Sequence, residues 1–386
     1  MLSLICFGSI STGANYFYYF SFFSFVGISF FSMLQRRKLG RGVFLPTQTI
    51  WYILFTLFAT ISGFWADSLA ISLAPVRKMV QILVVTYCLD IYVDDERRMR
   101  RYMRTVIAAS VFMIFYVFVF TPPSQWFAGF LGEVTHLNTN DIGLACSVCV
   151  LLSFYFAYIR RQNLYYLVTV LSFFLGILTS SRKSLLMSAF GIIFIVVFNY
   201  RARKYFLRVL IILSIAMLAL VMIYEIPELY NTVGTRMDTM VKHYMTDRSS
   251  DYSITLREYY ISMAKEFFRE RPLLGIGLNN FSYRTMLLGD AFSYAHNNYW
   301  EIAADLGIVG LIFYYWFYIY LLVKHLRRMV DGSKISLLFS VLMLLFLIFE
   351  YSMVTYYKMQ IQIVIAASWS ALNLRESASA GRGNAA

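Results

Sequence analysis

The chain has 386 residues, of which 59% are hydrophobic and only 14% are charged. This composition excludes a soluble domain of that size, because the apolar residues come in runs of about 20, the length that a helix needs to cross a bilayer. The net charge of +13 does not indicate nucleic-acid binding, because Lys and Arg cluster in short loops between the apolar runs, as the positive-inside rule predicts for a membrane protein.

The apolar runs predict an all-α polytopic membrane protein, because lipid forces the backbone of each spanning segment to hydrogen-bond within that segment. They give about 11 or 12 transmembrane helices, with both termini inside and one large extracytoplasmic helical loop. The predicted spans, of which the first is short, are residues 2–13, 16–34, 43–62, 69–92, 105–121, 140–158, 164–180, 184–199, 207–224, 299–322, 335–353 and 359–374.

The distribution of charge predicts the orientation of these spans. Placing the loops rich in Lys and Arg inside puts the predicted basic loops 93–104 and 323–334 in the cytoplasm. The predicted organisation is N-terminal transmembrane helices, a large periplasmic or extracellular loop, C-terminal transmembrane helices and a cytoplasmic tail. These parts cover residues 1–224, 225–298, 299–374 and 375–386.

The four cysteines all lie in apolar runs. Cys146 and Cys149 have C-x-x-C spacing, but on a membrane helix this spacing is typical of small packing residues rather than of a redox or metal pair.

The large loop contains an amphipathic pattern. Apolar residues recur at helical spacing and predict a helix over 253–270, which Pro272 ends. They are Ile254, Ile261, Ala264, Phe267 and Phe268. Arg257 stands four residues before Ile261 and therefore on the apolar edge. It either snorkels to the lipid headgroups or holds an anionic ligand at the membrane surface.

The segment Pro272-Leu-Leu-Gly275-Ile-Gly277 cannot continue this helix. Its two glycines permit positive φ and a close approach of another backbone, so a turn is predicted. It is not a nucleotide phosphate-binding loop, because no Gly-Lys-Ser or Gly-Lys-Thr follows.

His296 stands just before the span 299–322, and Asn297 or Asn298 is predicted to cap that helix. A single His at a helix start is usually structural, but a neutral imidazole at the outer surface can also take a proton. Glu301 and Asp305 lie four residues apart on one face of the same helix. Acids at such a depth mark a site or a buried partner, and their spacing from His296 is not that of a metal site.

Several other polar residues have both a structural and a functional interpretation. Arg182 and Lys183 lie in a tight predicted outer turn, either as interfacial anchors or as ligand-binding cations, because their side of the membrane runs against the orientation rule. Arg77 and Lys78 lie inside a predicted span and need partners. Asn138, Asn140 and Asp141 are predicted to cap the span 140–158, and Glu350 is predicted to have a structural partner.

The motifs from Arg257 onwards resemble the signature of the O-antigen ligase and O-antigen polymerase superfamily. The resemblance rests on Pro272-Leu-Leu-Gly-Ile-Gly-Leu-Asn-Asn-Phe281, His296-Asn-Asn-Tyr and Asp305-Leu-Gly-Ile-Val-Gly310, with Ser181-Arg182 as the upstream motif. It covers residues 140–322, whereas the first 139 residues match only in hydropathy. Asp305 stands where the family more often has Glu.

This resemblance implies a metal-independent, inverting membrane glycosyltransferase of GT-C-like architecture, without a cofactor. His296 would be the catalytic base, and Arg182 and Arg257 would hold the diphosphate of an undecaprenyl-diphosphate-linked oligosaccharide. Supporting roles would fall to Asn297, Glu301, Asp305, Lys183 and Arg77. The residue types suit this chemistry, because two guanidinium groups stabilise the charge that grows on a diphosphate leaving group.

The resemblance also implies the partners and the location. The donor would be the lipid-linked oligosaccharide, the acceptor a glycan, and a chain-length regulator a further partner. The protein would lie in the bacterial inner membrane, with its active site on the periplasmic or extracellular side.

Three functions are compatible with these features. A polymerase joins lipid-linked repeat units into O-antigen, capsular or exopolysaccharide, and the richness in Phe and Tyr favours it. A ligase transfers finished polymer to lipid A core or another acceptor, with the same donor and site. A flippase or transporter would have charged residues deep in several spans and weak inverted repeats, which the sequence does not clearly contain.

Overall fold

The computed structural model describes residues 15–38, 45–126, 138–179, 181–199, 224–225, 227, 230, 234–245 and 252–374. Over these residues the chain is helical and has no strand, which confirms the predicted all-α class. The α-helices are α1 (Asn15–Lys38), α2 (Thr47–Ile61), α3 (Leu69–Leu73), α4 (Val76–Tyr92), α5 (Glu96–Phe120), α6 (Thr139–Phe154), α7 (Leu164–Leu178), α8 (Arg182–Phe198), α9 (Thr235–Met245), α10 (Tyr252–Glu270), α11 (Asn280–Leu287), α12 (Asn298–Val330), α13 (Lys334–Phe349) and α14 (Met359–Leu372).

Within the described ranges, six helical segments are long and apolar enough to cross a membrane. They are Thr47–Phe64, Leu69–Tyr92, Glu96–Phe120, Thr139–Ile159, Asn298–Val330 and Lys334–Ser352, with shorter apolar helices at Phe22–Phe31, Leu164–Leu178 and Met359–Leu372. The chain is therefore a multi-pass membrane protein, as predicted. The predicted span 2–13, the tail 375–386 and all but the last residue of the span 207–224 lie outside the described residues.

One predicted inner loop is mostly helical. α5 begins at Glu96, so the greater part of the basic stretch 93–104 belongs to this helix. The cause is local, because Asp95 Oδ1 accepts the N–H of Arg98 at 2.7 Å and Glu96 pairs with Arg100 one turn later at 2.5 Å. A capping carboxylate and an ion pair with this spacing both favour a helix.

The boundaries of two other helices also differ from the prediction. α12 continues to Val330 through most of the predicted loop 323–334, since no Gly or Pro stands between Gly310 and Gly332 to stop it. α8 begins at Arg182, so this residue lies in the first helical turn and not in a loop.

The chain divides into two compact units. The first comprises residues 1–23, 101–251 and 326–345, and the second comprises residues 24–100, 252–325 and 346–386. Arg182 therefore belongs to the first unit, whereas Arg257 and His296 belong to the second.

In the first unit, α6 packs against α7 and α8. The approach of α6 and α8 is close, because Ser184 Oγ donates to the carbonyl of Gly143 at 2.7 Å and Ser147 Oγ donates to the carbonyl of Ser184 at 3.0 Å. Small polar residues of this kind join helices in membranes. Cys146 and Cys149 are buried free thiols on α6, which agrees with their predicted packing role.

The start of α6 has the predicted cap. Asn138 Oδ1 accepts the N–H of Asn140 at 2.9 Å, which satisfies one of the backbone donors that a helix leaves open at its first turn.

In the second unit, α4 packs against α2 and α14, and α3 contacts α11. Trp51 on α2 is a buried anchor. Its Nε1 donates to the carbonyl of Phe313 at 2.8 Å, and its ring stacks on Phe317 with centroids 4.7 Å apart. These contacts hold α12, the helix that follows His296, against the N-terminal helices of the same unit.

Candidate functional site

His296 has a left-handed backbone, with φ of 55°. This conformation is uncommon for a non-glycine residue and costs about 1–3 kcal/mol, so it persists only where the flanking residues are held. On one side, the N–H of Ala295 donates to Glu301 Oε2 at 2.5 Å. On the other, Asn297 Oδ1 accepts the N–H of Trp300 at 3.1 Å. Of the two predicted candidates, Asn297 is therefore the side chain that caps the first turn of α12.

The imidazole of His296 is half-buried and lies against two tyrosine rings. The centroid distance is 4.1 Å to Tyr294 and 6.1 Å to Tyr260. Tyr260 is itself buried, in a core that includes Phe267 and Phe281. The place of the imidazole is thus set by α10 as well as by its own loop.

Arg257 lies on the buried face of α10. The helix runs from Tyr252 to Glu270, within one residue of the predicted start. Its buried residues include Ile254, Tyr260 and Ala264, and Arg257 falls at the i+3 position between the first two of these. The side chain is half-buried. Arg257 therefore shares a helix face, one turn apart, with the tyrosine that faces His296.

The predicted turn after Pro272 is inserted into a break in α12. The backbone hydrogen bonds run from Ile276 N to Ala304 O (3.0 Å), from Gly277 N to Asp305 O (2.8 Å) and from Ile308 N to Pro272 O (2.8 Å). The break is at Gly307, where φ is 66° and ψ is −169°. A Cβ added at Gly307 would collide with the carbonyl of Leu273. Glycine is thus required here both for its conformation and for the close approach of the turn.

Asp305 caps α11. Its Oδ2 accepts the N–H of Asn279 at 2.6 Å, and its Oδ1 accepts the N–H of Phe281 at 2.8 Å. A carboxylate is favourable at this place because the first backbone donors and the dipole of a helix both point at it. Asp305, one of the residues expected to have a supporting role, is therefore directed at α11.

Glu301 is fully buried and holds the loop before His296 through Oε2. Its other oxygen, Oε1, has no hydrogen-bond partner among the described residues, and the same is true of Asn297 Nδ2. An unpaired buried polar group costs about 1–3 kcal/mol. The two groups therefore leave one donor and one acceptor available beneath the imidazole loop.

Comparison with known protein families gives one match. Residues 167–315 match the family model described as O-antigen ligase. The match confirms the resemblance predicted from the sequence and is consistent with the O-antigen ligase and polymerase superfamily. Comparison with curated proteins gives no significant match.

The O-antigen ligase match covers most of the predicted site. Arg182, Arg257 and His296 all lie inside it, as do Glu301 and Asp305. One predicted site residue, Arg77, lies outside residues 167–315.

The O-antigen ligase match begins before Arg182, in the first unit. Ser181 Oγ donates to Asn140 Oδ1 at 3.2 Å, which fixes the entry to α8 against α6. Arg182 and Lys183 follow at once and are half-buried in the first turn of α8. The convergence of Arg182 with Arg257 and His296 stays a prediction.

Arg77 and Lys78 lie in the first turn of α4 and are exposed. Lys78 Nζ is 5.8 Å from the centroid of the Tyr357 ring. Arg77 forms no ion pair with the part of the chain that the structure describes. Its supporting role stays a prediction.

Sequence reasoning missed Arg284, which ties α11 to two other segments. Its Nε lies 2.5 Å from Asp67 Oδ2, and its Nη1 pairs with Glu270 at the end of α10. Partial burial lowers the pKa of Arg284, whereas its hydrogen bonds to the two carboxylates raise it, and the net pKa is raised. No motif marks this residue, because its partners are distant in sequence.

The described residues contain no group of three or more His, Cys, Asp or Glu side chains placed to hold a metal ion. Beside the imidazole loop the second unit has tyrosine rings, the amide of Asn297 and the carboxylate of Glu301, and Arg257 lies one turn from Tyr260 on α10. Such a set can bind an anion at Arg257 and exchange a proton at His296.

Proposed function

We propose that this protein is a membrane glycosyltransferase that polymerises undecaprenyl-diphosphate-linked oligosaccharide repeat units. The product would be an O-antigen, a capsular polysaccharide or an exopolysaccharide. The proposal rests above all on one observation. Within the stretch that matches the O-antigen ligase family, His296 lies against Tyr260, on the helix face that also carries Arg257.

In the proposed reaction, His296 removes the proton from an acceptor hydroxyl as its oxygen attacks the anomeric carbon of the donor sugar. A new C–O bond forms while the bond to the lipid diphosphate breaks, in a single displacement with inversion. Arg257 and Arg182 would hold the diphosphate and stabilise the charge that grows on the leaving oxygen. This arrangement would need no metal ion. The reaction would take place at the periplasmic or extracellular side of the bacterial inner membrane, where a chain-length regulator would be a further partner.

A ligase is the second candidate, because the matched family is described as O-antigen ligase. It would use the same donor and the same residues but would transfer finished polymer to lipid A core or another acceptor. The choice of polymerase rests on composition, since polymerases vary most within the superfamily and this chain contains 35 Phe and 30 Tyr residues.

Product length tests the proposal. Purified full-length protein in lipid nanodiscs is incubated with a defined diphosphate-linked oligosaccharide, and the products are sized. A polymerase is expected to give a series of products that differ in length by one repeat unit. His296→Ala is expected to give no such series. A deletion strain that accumulates long unattached chains would instead identify a ligase. Wild-type synthesis by both His296→Ala and Arg257→Ala would exclude an enzyme of this mechanism and favour a flippase or transporter.

A further inference from the structure

A buried carboxylate lies at the junction that follows α13. Glu350 is 1% exposed, and both of its oxygens are fully used. Oε2 accepts from Tyr315 Oη at 2.6 Å and from Asn298 Nδ2 at 3.1 Å. Oε1 accepts from Tyr318 Oη at 3.1 Å and from Thr355 Oγ1. All four donors are neutral.

A buried carboxylate is an unusual residue for a purely structural contact between helices. An acid inside a membrane-spanning segment is expensive and tends to mark a functional site. Glu350 gains no cation among these four partners. Its two oxygens instead accept from four donors and orient them at the same time, as a buried polar network can do.

One of the oriented donors leads directly to His296. Asn298 is the first residue of α12, and its side chain is held at both ends. Its Nδ2 donates to Glu350 and, at 2.8 Å, to Tyr315 Oη. Its Oδ1 accepts the N–H of Thr355 at 2.9 Å. The chain two residues after His296 is therefore fastened to the segment that follows Glu350.

These contacts bear on the backbone conformation of His296. The left-handed backbone of His296 relaxes to an ordinary conformation unless both flanks are fixed. Glu301 fixes Ala295 on one flank. On the other flank, Asn297 caps α12, and Asn298 adds a second fixed point, to which Glu350 contributes with Tyr315 and Thr355.

We propose that Glu350 is a positioning residue for the proposed glycosyl transfer, which acts through Asn298 to keep the imidazole of His296 in its reactive place. The proposal rests on the proposed function of His296. It predicts that loosening the contact between Glu350 and Asn298 slows the reaction while the binding of the lipid-linked donor is unchanged, because neither Arg182 nor Arg257 is among the four partners of Glu350.

Two adjacent tyrosines provide a matched test. Tyr315→Phe removes a hydroxyl that contacts both Asn298 and Glu350. Tyr314→Phe removes an equally buried hydroxyl on the same helix, whose partners are Tyr318, Thr355 and Gln362. Each variant is purified at full length in nanodiscs, and kcat and KM for a defined diphosphate-linked oligosaccharide are measured per folded molecule.

The expected result is a kcat that falls by about 10- to 100-fold in Tyr315→Phe, as displacement of a reacting group predicts, with KM unchanged. Tyr314→Phe is expected to keep both constants. Equal effects of the two substitutions, or a raised KM with kcat unchanged, would overturn the proposal. If Tyr315→Phe does not fold, Glu350→Gln tests the same network, because it keeps the side-chain shape and replaces one acceptor oxygen by an NH2 donor.

His296→Ala in the same assay separates the two proposals. Full turnover by His296→Ala would end the proposed function, and the positioning role with it. If His296→Ala is inactive but Tyr315→Phe has the same constants as Tyr314→Phe, the proposed function stands and only the positioning role of Glu350 is overturned.

Discussion

The ring of Tyr260 lies nearly parallel to that of His296, with an interplanar angle of 30° and centroids 6.1 Å apart. Because Tyr260 is buried on α10, it couples the loop that carries His296 to the helix that carries Arg257. Two of the three residues proposed for catalysis and donor binding thus depend on the packing of one helix.

The chemistry of His296 can be separated from its backbone. Asn tolerates a left-handed backbone better than most residues, so His296→Asn is expected to fold as the wild type does while it loses the base. We predict a fall in kcat of about 100- to 10,000-fold, the usual range for a general base, with an unchanged thermal midpoint. Turnover in nanodiscs and the melting curve are the two measurements. Retention of more than a tenth of wild-type kcat would argue against a base at this position.

Arg257→Gln tests the anion site. A hydrogen bond to a charged group is worth about 1.5–3 kcal/mol, so kcat/KM for the diphosphate-linked donor is expected to fall by about 10- to 100-fold. Arg269→Gln is the matched control, because Arg269 is on the same helix and is exposed. If both substitutions reduce kcat/KM equally, the reduction is caused by the loss of positive charge from the loop and not by the loss of a specific anion-binding residue.

Gly307→Ala is expected to destabilise the second unit strongly. The added Cβ meets the carbonyl of Leu273, and the backbone has a φ of 66°. Gly289→Ala provides the control, because its φ is 88° but nothing lies within 4 Å of the added Cβ. We expect a loss of about 1 kcal/mol at Gly289 from conformation alone and a clearly larger loss at Gly307. Thermal midpoints that shift by the same amount would show that the turn moves aside without cost.

Asp305→Asn tests the cap of α11. The substitution leaves one acceptor for the two backbone donors, and we expect a loss of about 1–2 kcal/mol in stability. The pH profile of kcat is expected to stay unchanged, because Asp305 is directed at α11. A shifted profile with an unchanged melting point would instead assign Asp305 to the imidazole.

Chelation tests the predicted independence of metal ions. Incubation with an excess of EDTA is expected to leave the rate of glycosyl transfer unchanged, because the guanidinium groups would supply the positive charge. The control is the same buffer with added Mg²⁺. A rate that falls with EDTA and returns with Mg²⁺ would mean that a metal ion binds the diphosphate.

Part of this architecture is predictable from local sequence. The bounds of α10 follow from apolar spacing and from Pro272, and the cap at Asn138 follows from residue type. The extent of α5 is not predictable from charge alone, because Arg98 and Arg100 indicate an inner loop although their carboxylate partners make the segment helical.

Other features depend on partners far along the chain. α11 begins where Asp305 accepts its backbone donors, and the two segments are separated by the whole histidine loop. The four partners of Glu350 come from two stretches of the chain, so the sequence predicts that it has a partner but not which one. The break at Gly307 is likewise visible only when the turn after Pro272 lies inside it.

α12 is longer than a bilayer core is thick. From Asn298 to His325 the helix rises about 40 Å, whereas the hydrocarbon core of a bilayer is about 30 Å thick. His325 is buried, with its Nε2 2.8 Å from Ser368 Oγ, so this end cannot slide freely against α14. The surplus of about 10 Å is nearly two helical turns, the distance that separates Asn298 from Asp305. Counted from His325, a helix as long as a bilayer core is thick would therefore reach about as far as Asp305.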